Sequence, residues 1–376
     1  MVQQLSPLVK AYTQVDAART WCQSVRGLRP LFACAMGFTE TALVPGISAA
    51  GATPAARKWT AIADAEVLLH GHSSRLPTAP EGYPSPVVIS QAICTSLDIP
   101  VQVVDCGLPE LVSGAVSVGL PSCRTAACLS TGQSMSIQQT RQLFEAGQAM
   151  GHALSRAHPY LAIGECVAGG TTTALALLMG LGIDADGMVN SSHPVCNHSQ
   201  KLDLVRQGLM AFRQRPRQRI DGVSPVIEMV AAIGDPMQPF VAGMVLAASC
   251  HCPVLLAGGT QMLAVYALAQ RLATDLKQAW IPDRIAVGTT RWVTDDPSGQ
   301  TIALAQLLPP VTLLATQLSF SVSRYSQLQA YERGYVKEGV GAGGLAIAAS
   351  LYADWSQADF LSAIESTYGK LLQATA

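Results

Sequence analysis

The sequence predicts an α/β protein: a doubly wound, mostly parallel, Rossmann-like sheet with a small helical domain built from the two chain ends. Three observations point there. Short apolar runs alternate with segments of helical length. Those runs are apolar on both faces, as strands covered by helices on either side must be. Glycines, 32 in a chain of 376 residues, recur near the ends of the runs, while only 13% of residues are charged. A hydrophobic share of 49% supports a sizeable core and excludes disorder. The formal net charge of -1 offers no basic field for nucleic acid.

The elements follow in order. Runs at 31–36, 99–105, 160–163, 226–233 and 253–257 read as strands, each ending near Gly or Asp. Ser136 followed by Gln139 is a capping-box signature, and Ile137, Phe144, Met150 and Leu154 then share one helical face. From residue 323 onward strand signals thin and helix formers increase. The expected division is therefore 1–24 and 319–376 as the two parts of a small helical domain, around a core domain at 25–318. The first residues have no apolar stretch of the secretory kind. The apolar tract at 239–269 is interrupted by Cys250-His251-Cys252-Pro253 and Gly258-Gly259, too short for a membrane span. A cytoplasmic protein is expected, with no membrane or nucleic-acid partner. The ten cysteines form no C-x-x-C pair and read as reduced packing residues.

In an open parallel sheet ligands bind beyond the carboxyl ends of the strands, so chemistry is sought in the loops that follow them. GECVAGGTTTALALL at 164–178 follows one strand and opens a helix. Gly164, Gly169, Gly170 and Thr171 keep P-loop spacing, but Gly170 stands where the lysine belongs, which disfavours a nucleoside triphosphatase. Close backbone approach and a helix N-terminus still suit a monophosphate; the plain alternative is a tight turn with capping threonines. Glu165 beside an anion site makes sense only if it faces another part of the ligand.

KEGVGAGGLAIAASL at 337–351 contains Gly339, Gly341 and Gly344, a literal G-x-G-x-x-G without the preceding strand a dinucleotide site needs. Its notable residue is Glu338, a carboxylate at the mouth of a glycine-rich turn, usable as a proton acceptor if buried. Otherwise it is an exposed first-turn acid. Asp295 and Asp296 faintly resemble paired ribose-binding acids, but in RWVTDDPSG they read as turn residues. His193, Cys196 and His198 lack a second ligand pair and read as a polar loop, with no metal site expected.

Four ordered blocks, VVISQAICTSLDIPVQVVDCGL at 87–108, GECVAGGTTTALALL at 164–178, QKLDLVRQGL at 200–209 and EGVGAGGLAIAA at 338–349, carry a family likeness. The sequence resembles the nicotinate mononucleotide-dependent phosphoribosyltransferases of cobamide (vitamin B12-type) lower-ligand synthesis, such as nicotinate-nucleotide:dimethylbenzimidazole phosphoribosyltransferase. It looks most like a divergent cyanobacterial and archaeal branch. The resemblance implies Glu338 as catalytic base and Glu165 as the second acid. It implies Gly169, Gly170, Thr171, Thr172, Lys201, Gly258 and Gly259 around phosphate and ribose, and Ser90, Gln91 and Gly339 near the aromatic acceptor. It also implies a homodimer, small-molecule substrates, and no cofactor. The chain departs from the family where G-E-M-G-I-G-N-T-T becomes 164–172, with Val167 and Gly170, and where an expected Asp-Gly appears as Gly258-Gly259.

The implied reaction moves the phosphoribosyl group of nicotinate mononucleotide to a benzimidazole-like or purine base and releases nicotinate. Two rivals stand beside it. One is a non-catalytic nucleotide- or base-binding sensor or carrier on the same fold, suggested by the loop departures. The other is a dinucleotide-dependent oxidoreductase on the 339–344 glycines.

Overall fold

Among the described residues nine strands form one sheet: β1 Gln3–Ser6, β2 Val9–Ala11, β3 Leu31–Gly37, β4 Val101–Gly107, β5 Val116–Ser117, β6 Leu161–Cys166, β7 Val254–Ala257, β8 Ile285–Thr290 and β9 Thr312–Thr316. The computed structural model describes residues 2–75, 79, 81–118, 124–215 and 224–374. Strand order is β1-β2-β9-β8-β7-β6-β3-β4-β5. All pairings from β3 to β9 are parallel, and β1 and β2 extend the edge antiparallel. The chain winds from β3 outward to β4 and β5, then returns to β6 on the other side of β3. The sheet therefore reverses direction between β3 and β6, where doubly wound folds open a crevice.

The helices are α1 Val15–Val25, α2 Thr60–His70, α3 Val87–Ser96, α4 Ile137–Ala157, α5 Gly170–Gly180, α6 His198–Arg213, α7 Pro225–Ile233, α8 Met237–Ser249, α9 Thr260–Leu276, α10 Arg291–Thr294, α11 Thr301–Leu307, α12 Ala342–Tyr352 and α13 Gln357–Ala374. They cover both faces. Leu31, Ala33 and Ala35 of β3 point into a core shared with α4, α5 and α7 to α9. Phe32, Cys34 and Met36 point into a second core with α1 to α3, α12 and α13. Period-2 alternation with both sides apolar is what the low charge content made possible.

Four of the five runs read as strands coincide with observed strands, their ends differing by three residues at most. The exception is 226–233, which is α7. Ser224 accepts a hydrogen bond from Val226 N, and Pro225 opens the helix. An all-apolar run is ambiguous by periodicity, and the Ser-Pro start is the deciding signal. Strands β8 and β9 were not anticipated. The Ser136 cap is present, its hydroxyl accepting from Gln139 N at 3.0 Å, but the Gln139 side chain turns to the Arg124 carbonyl instead of back to the cap.

The chain ends differ from the expected helical domain. Residues 3–11 supply two strands, with Val9, Lys10 and Ala11 in register with Thr316, Ala315 and Leu314. Helix α12 is buried from Ala342 to Leu351 and contacts β6 through β9, so it is a covering helix of the sheet itself. No helix among the described residues is long and apolar enough to cross a membrane. None of the nine cysteines among the described residues is in a disulfide, and most are buried.

Helices α4 and α8 cross at backbone contact: a Cβ on Gly147 would overlap the Phe240 carbonyl oxygen, and one on Gly243 the Phe144 carbonyl oxygen. Backbone cannot yield as a flexible side chain does, so Gly243→Ala is expected to lower stability by about 1–3 kcal/mol. Urea unfolding with an unchanged m-value checks it.

Candidate functional site

A cleft of about 930 Å³, open mouth included, lies over the carboxyl ends of β6, β7 and β8 beside the point where the sheet reverses. Glu165 and Glu338 both line it. Glu165 is the penultimate residue of β6 and 3% exposed. Its backbone carbonyl accepts from Val340 N at 3.0 Å, which ties the strand to the loop carrying Glu338. Its side chain has one internal donor, Val167 N at 3.2 Å. Burial, then repulsion from Asp235 and Glu338, pushes the Glu165 carboxyl up to about 8. Asp235 itself is fully buried and holds Thr173 Oγ1 at 2.5 Å.

Glu338 is held differently. Thr289 Oγ1 and Thr290 N donate to Oε2, both at 2.9 Å, and Gly339 N and Gly343 N donate to Oε1, both at 3.1 Å. Burial raises this carboxyl, while the four donors favour its ionised form. Gly343 N belongs to the first turn of α12, so the carboxylate also meets the positive end of that helix.

The glycines of 339–344 serve this arrangement. A Cβ on Gly343 would overlap the Thr289–Thr290 peptide, and one on Gly344 would overlap Ala257. They let α12 lie directly on β7 and β8 and so carry Glu338 to the strand ends. The loop is strained: Val336, Lys337 and Val340 all have positive φ, at 65°, 65° and 53°. It is held down by a buried ion pair, Lys337 Nζ to Asp296 Oδ2 at 2.5 Å, and by Ser90 Oγ donating to the Val340 carbonyl at 2.7 Å.

Two further helix N-termini line the cleft. Helix α5 starts at Gly170 behind Gly169, which is in the left-handed region at φ 79°, and α9 starts at Thr260 behind Gly259. Gly169, Gly170, Thr171, Gly259 and Thr260 all line the cleft. The Thr260 hydroxyl is buried without a partner. Such a pair of N-termini suits an anion.

Of the residues named from sequence, Glu165, Glu338, Gly169, Gly170, Thr171, Gly259 and Gly339 line the cleft; Thr172, Lys201, Gly258, Ser90 and Gln91 do not. Thr172 is buried in α5. Gly258 packs against Met262. Gln91 lies beside Gly71 at the end of α2. Ser90 acts from behind, through Val340. Lys201 is fully buried, donates to the Asn190 carbonyl, and is pulled down to about 7 by burial. It steadies the Asn190 segment, whose residues 190–192 do line the wall, instead of reaching the cavity.

The 193–201 loop is a brace. His193 Nε2 bonds the Gly46 carbonyl, Asn197 Nδ2 those of Gly46 and Ile47, and His198 Nε2 that of Ser298. Asp296, read as a turn residue, anchors Lys337. Asp64 was missed. Its signal was the first of the two acids in IADAEVLL, at a position helical spacing puts on the apolar face.

A family model described as phosphoribosyltransferase matches residues 88–286. A UPF0284 protein of Gloeobacter violaceus is 56% identical over 345 residues, spanning 92% of this chain and 89% of the relative. A UPF0284 protein of a Cyanothece species is 51% identical over 373 residues, spanning 98% and 99%. Among solved structures the fold resembles CobT from Thermus thermophilus, with TM-score 0.59, 21% identity, and coverage of 92% of this chain and 89% of that one. It also resembles the nicotinate-nucleotide–dimethylbenzimidazole phosphoribosyltransferase of the same organism, with TM-score 0.56, 18% identity, and coverage of 94% and 90%.

The Glu165 carboxyl keeps its proton to about 8 when folded and releases it near 4.5 when unfolded. Between those values the native state binds more protons, so this group's contribution to stability falls as pH rises. Glu165→Gln should therefore melt about 2 °C or more above the parent at pH 8 and close to it at pH 5. Equal melting midpoints at pH 8 would count against the burial argument.

Proposed function

This chain belongs to the phosphoribosyltransferase family, and from that premise we propose that it transfers the 5-phosphoribosyl group of nicotinate mononucleotide to a benzimidazole-like or purine base, releasing nicotinate. The product is the nucleotide from which a cobamide lower ligand is made. The observation that carries this reading is one cleft lined by Glu165 and Glu338 beside the N-termini of α5 and α9.

The N-termini of α5 and α9, with their flanking glycines and the Thr260 hydroxyl, form the phosphate end. Phosphate binding there orients the sugar and contributes no bond chemistry of its own. Bond breaking at C1' runs ahead of bond making, so positive charge develops on the ribose. Glu165 faces that charge. In the free protein it retains a proton up to about pH 8, and a cationic nicotinate ring and a developing oxocarbenium ion both favour its ionised form. The incoming ring nitrogen attacks C1' from the opposite side, and the C1'–N bond to nicotinate breaks with its electron pair going to the nicotinate ring. The N–H proton of the new nucleotide passes to Glu338, whose four donors favour its ionised form and fix it in place.

The nicotinate leaving group departs neutral at its ring nitrogen, so no Mg²⁺-diphosphate clamp is called for. Among the described residues no grouping of three or more His, Cys, Asp or Glu is arranged to hold a metal ion.

Glu338→Gln should lower kcat by about 10²–10⁴, the usual worth of a positioned base, with the fold intact. Unchanged turnover in that variant defeats the assignment. Nicotinate release should also persist in excess chelator; strict Mg²⁺ dependence would point instead to a diphosphate sugar donor. Co-incubation with nicotinate mononucleotide and a panel of benzimidazoles and purines, read by mass spectrometry, tests the reaction itself. Nucleotide binding with no nicotinate release for any base would favour a sensor or carrier.

A further inference from the structure

Asp64 is the acid in the cleft that the transfer reaction leaves without a role. It sits on α2, is 1% exposed and lines the cavity. Its Oδ2 accepts from the Cys166 thiol at 3.2 Å. Its Oδ1 is buried and has no hydrogen-bond partner. The Ser85 hydroxyl is close enough to draw the carboxyl down, against the larger upward push of burial.

A purely structural acid uses its oxygens within the protein. Asp235 does so, with Thr173 on one oxygen and Met237 N and Gln238 N on the other. Asp64 leaves one oxygen unbonded at a cavity wall, and a buried acceptor of that kind is stabilised only when something supplies a donor.

Its surroundings say what that something looks like. Cys166 follows Glu165 on β6 and points to the opposite face, so Asp64 lies on the α2 side of the sheet, away from the layer that supplies the N-termini of α5 and α9. The cleft residues from the chain around α2 and the start of α3, with Val340, are small: Ala49, Ala50, Ala79, Pro86 and Val340 supply apolar surface, and Ser48, Thr60 and Ser85 stand among them. A flat ring with apolar faces and one polar edge matches it.

We propose that Asp64 selects the acceptor: the cleft takes an aromatic nitrogen heterocycle whose edge carries a hydrogen-bond donor, an amine or a hydroxyl, bonded to Asp64 Oδ1. This rests on the transferase reading and adds the class of acceptor. A heterocycle edged with methyl groups would bury the same oxygen against carbon. Sites built to bond a polar group discriminate strongly against analogues that lack it, because their own buried group is left unpaired.

The test uses two matched pairs, adenine with unsubstituted purine and 5-hydroxybenzimidazole with 5-methylbenzimidazole. Binding of each to the full chain is measured by calorimetry, without and with nicotinate mononucleotide. The donor-bearing member of each pair should bind at least about tenfold tighter, and that ratio should fall to near one in Asp64→Ala. Asp64→Leu, of similar shape and without an acceptor, replaces the alanine variant if thermal melting shows that it does not fold, and there the ratio should also fall. A parent ratio near one, or a ratio unchanged in a folded variant, overturns the proposal. A ratio near one together with nicotinate release overturns only the role of Asp64. Absence of both heterocycle binding and nicotinate release overturns the transferase reading as well.

Discussion

The buried pair between Lys337 and Asp296 is the interaction on which the cleft depends. It fastens a loop whose backbone works against being where it is, with a β-branched valine in the left-handed region at Val336 and another at Val340. Both charged groups are almost inaccessible, so the pair is no simple gain in stability: its attraction mainly offsets the desolvation of two ions. What it does secure is position. Asp296 also accepts from Asn190 Nδ2 at 2.9 Å and from Ser298 N and Oγ. One carboxylate thereby joins the Glu338 loop to the cleft wall at Asn190 and to the turn after α10. Removing either partner would leave an unpaired buried charge and release the strain in the same step.

Three acids converge above the sheet, and each is treated differently by its surroundings. Glu338 receives four donors, Glu165 one, and Asp64 a thiol and a nearby hydroxyl. Burial raises all three. They differ in what acts beside burial: repulsion from Asp235 and Glu338 raises Glu165 further, while the donors on Glu338 oppose its rise. A fold under no functional demand would not gather uncompensated carboxyls at its strand ends. That they persist beside a strained loop agrees with a site whose geometry is maintained at the expense of stability.

Much of this is legible in the residues. Strands β3, β4, β6 and β7, the helix cap at Ser136, and the two glycine-rich turns with their acids are visible because each has a local cause: two-faced apolarity, a side-chain cap, a turn only glycine fits. Run 226–233 misleads because periodicity does not separate a short buried helix from a buried strand. Strands β1 and β2 escape notice because edge strands of three or four residues carry little pattern, and pairing with β9 is a long-range event. Lys201 is drawn to the phosphate by its place at a helix start, but local position does not reveal that a side chain folds inward to a carbonyl. The Lys337–Asp296 pair and the placing of Asp64 at the cavity wall are products of tertiary packing, and no spacing rule encodes them.

The G-x-G-x-x-G at 339–344 shows how one pattern can serve two physical ends. In a dinucleotide site such glycines admit a pyrophosphate to backbone N–H groups. Here the space is taken by protein: Phe32, Ala257 and the Thr289–Thr290 peptide crowd the places where Cβ atoms would stand, and the freed N–H of Gly343 binds Glu338. The anion at this helix N-terminus is the chain's own. That leaves the N-termini of α5 and α9 for a ligand, both inside the segment matched by the phosphoribosyltransferase family, 88–286. Asp64, Ser85 and Pro86 precede that segment. On the proposed reaction, the sugar-phosphate end and the acceptor end are therefore built from different stretches of chain, so the α2 side can change which base it admits while the strand ends that hold ribose and phosphate stay as they are.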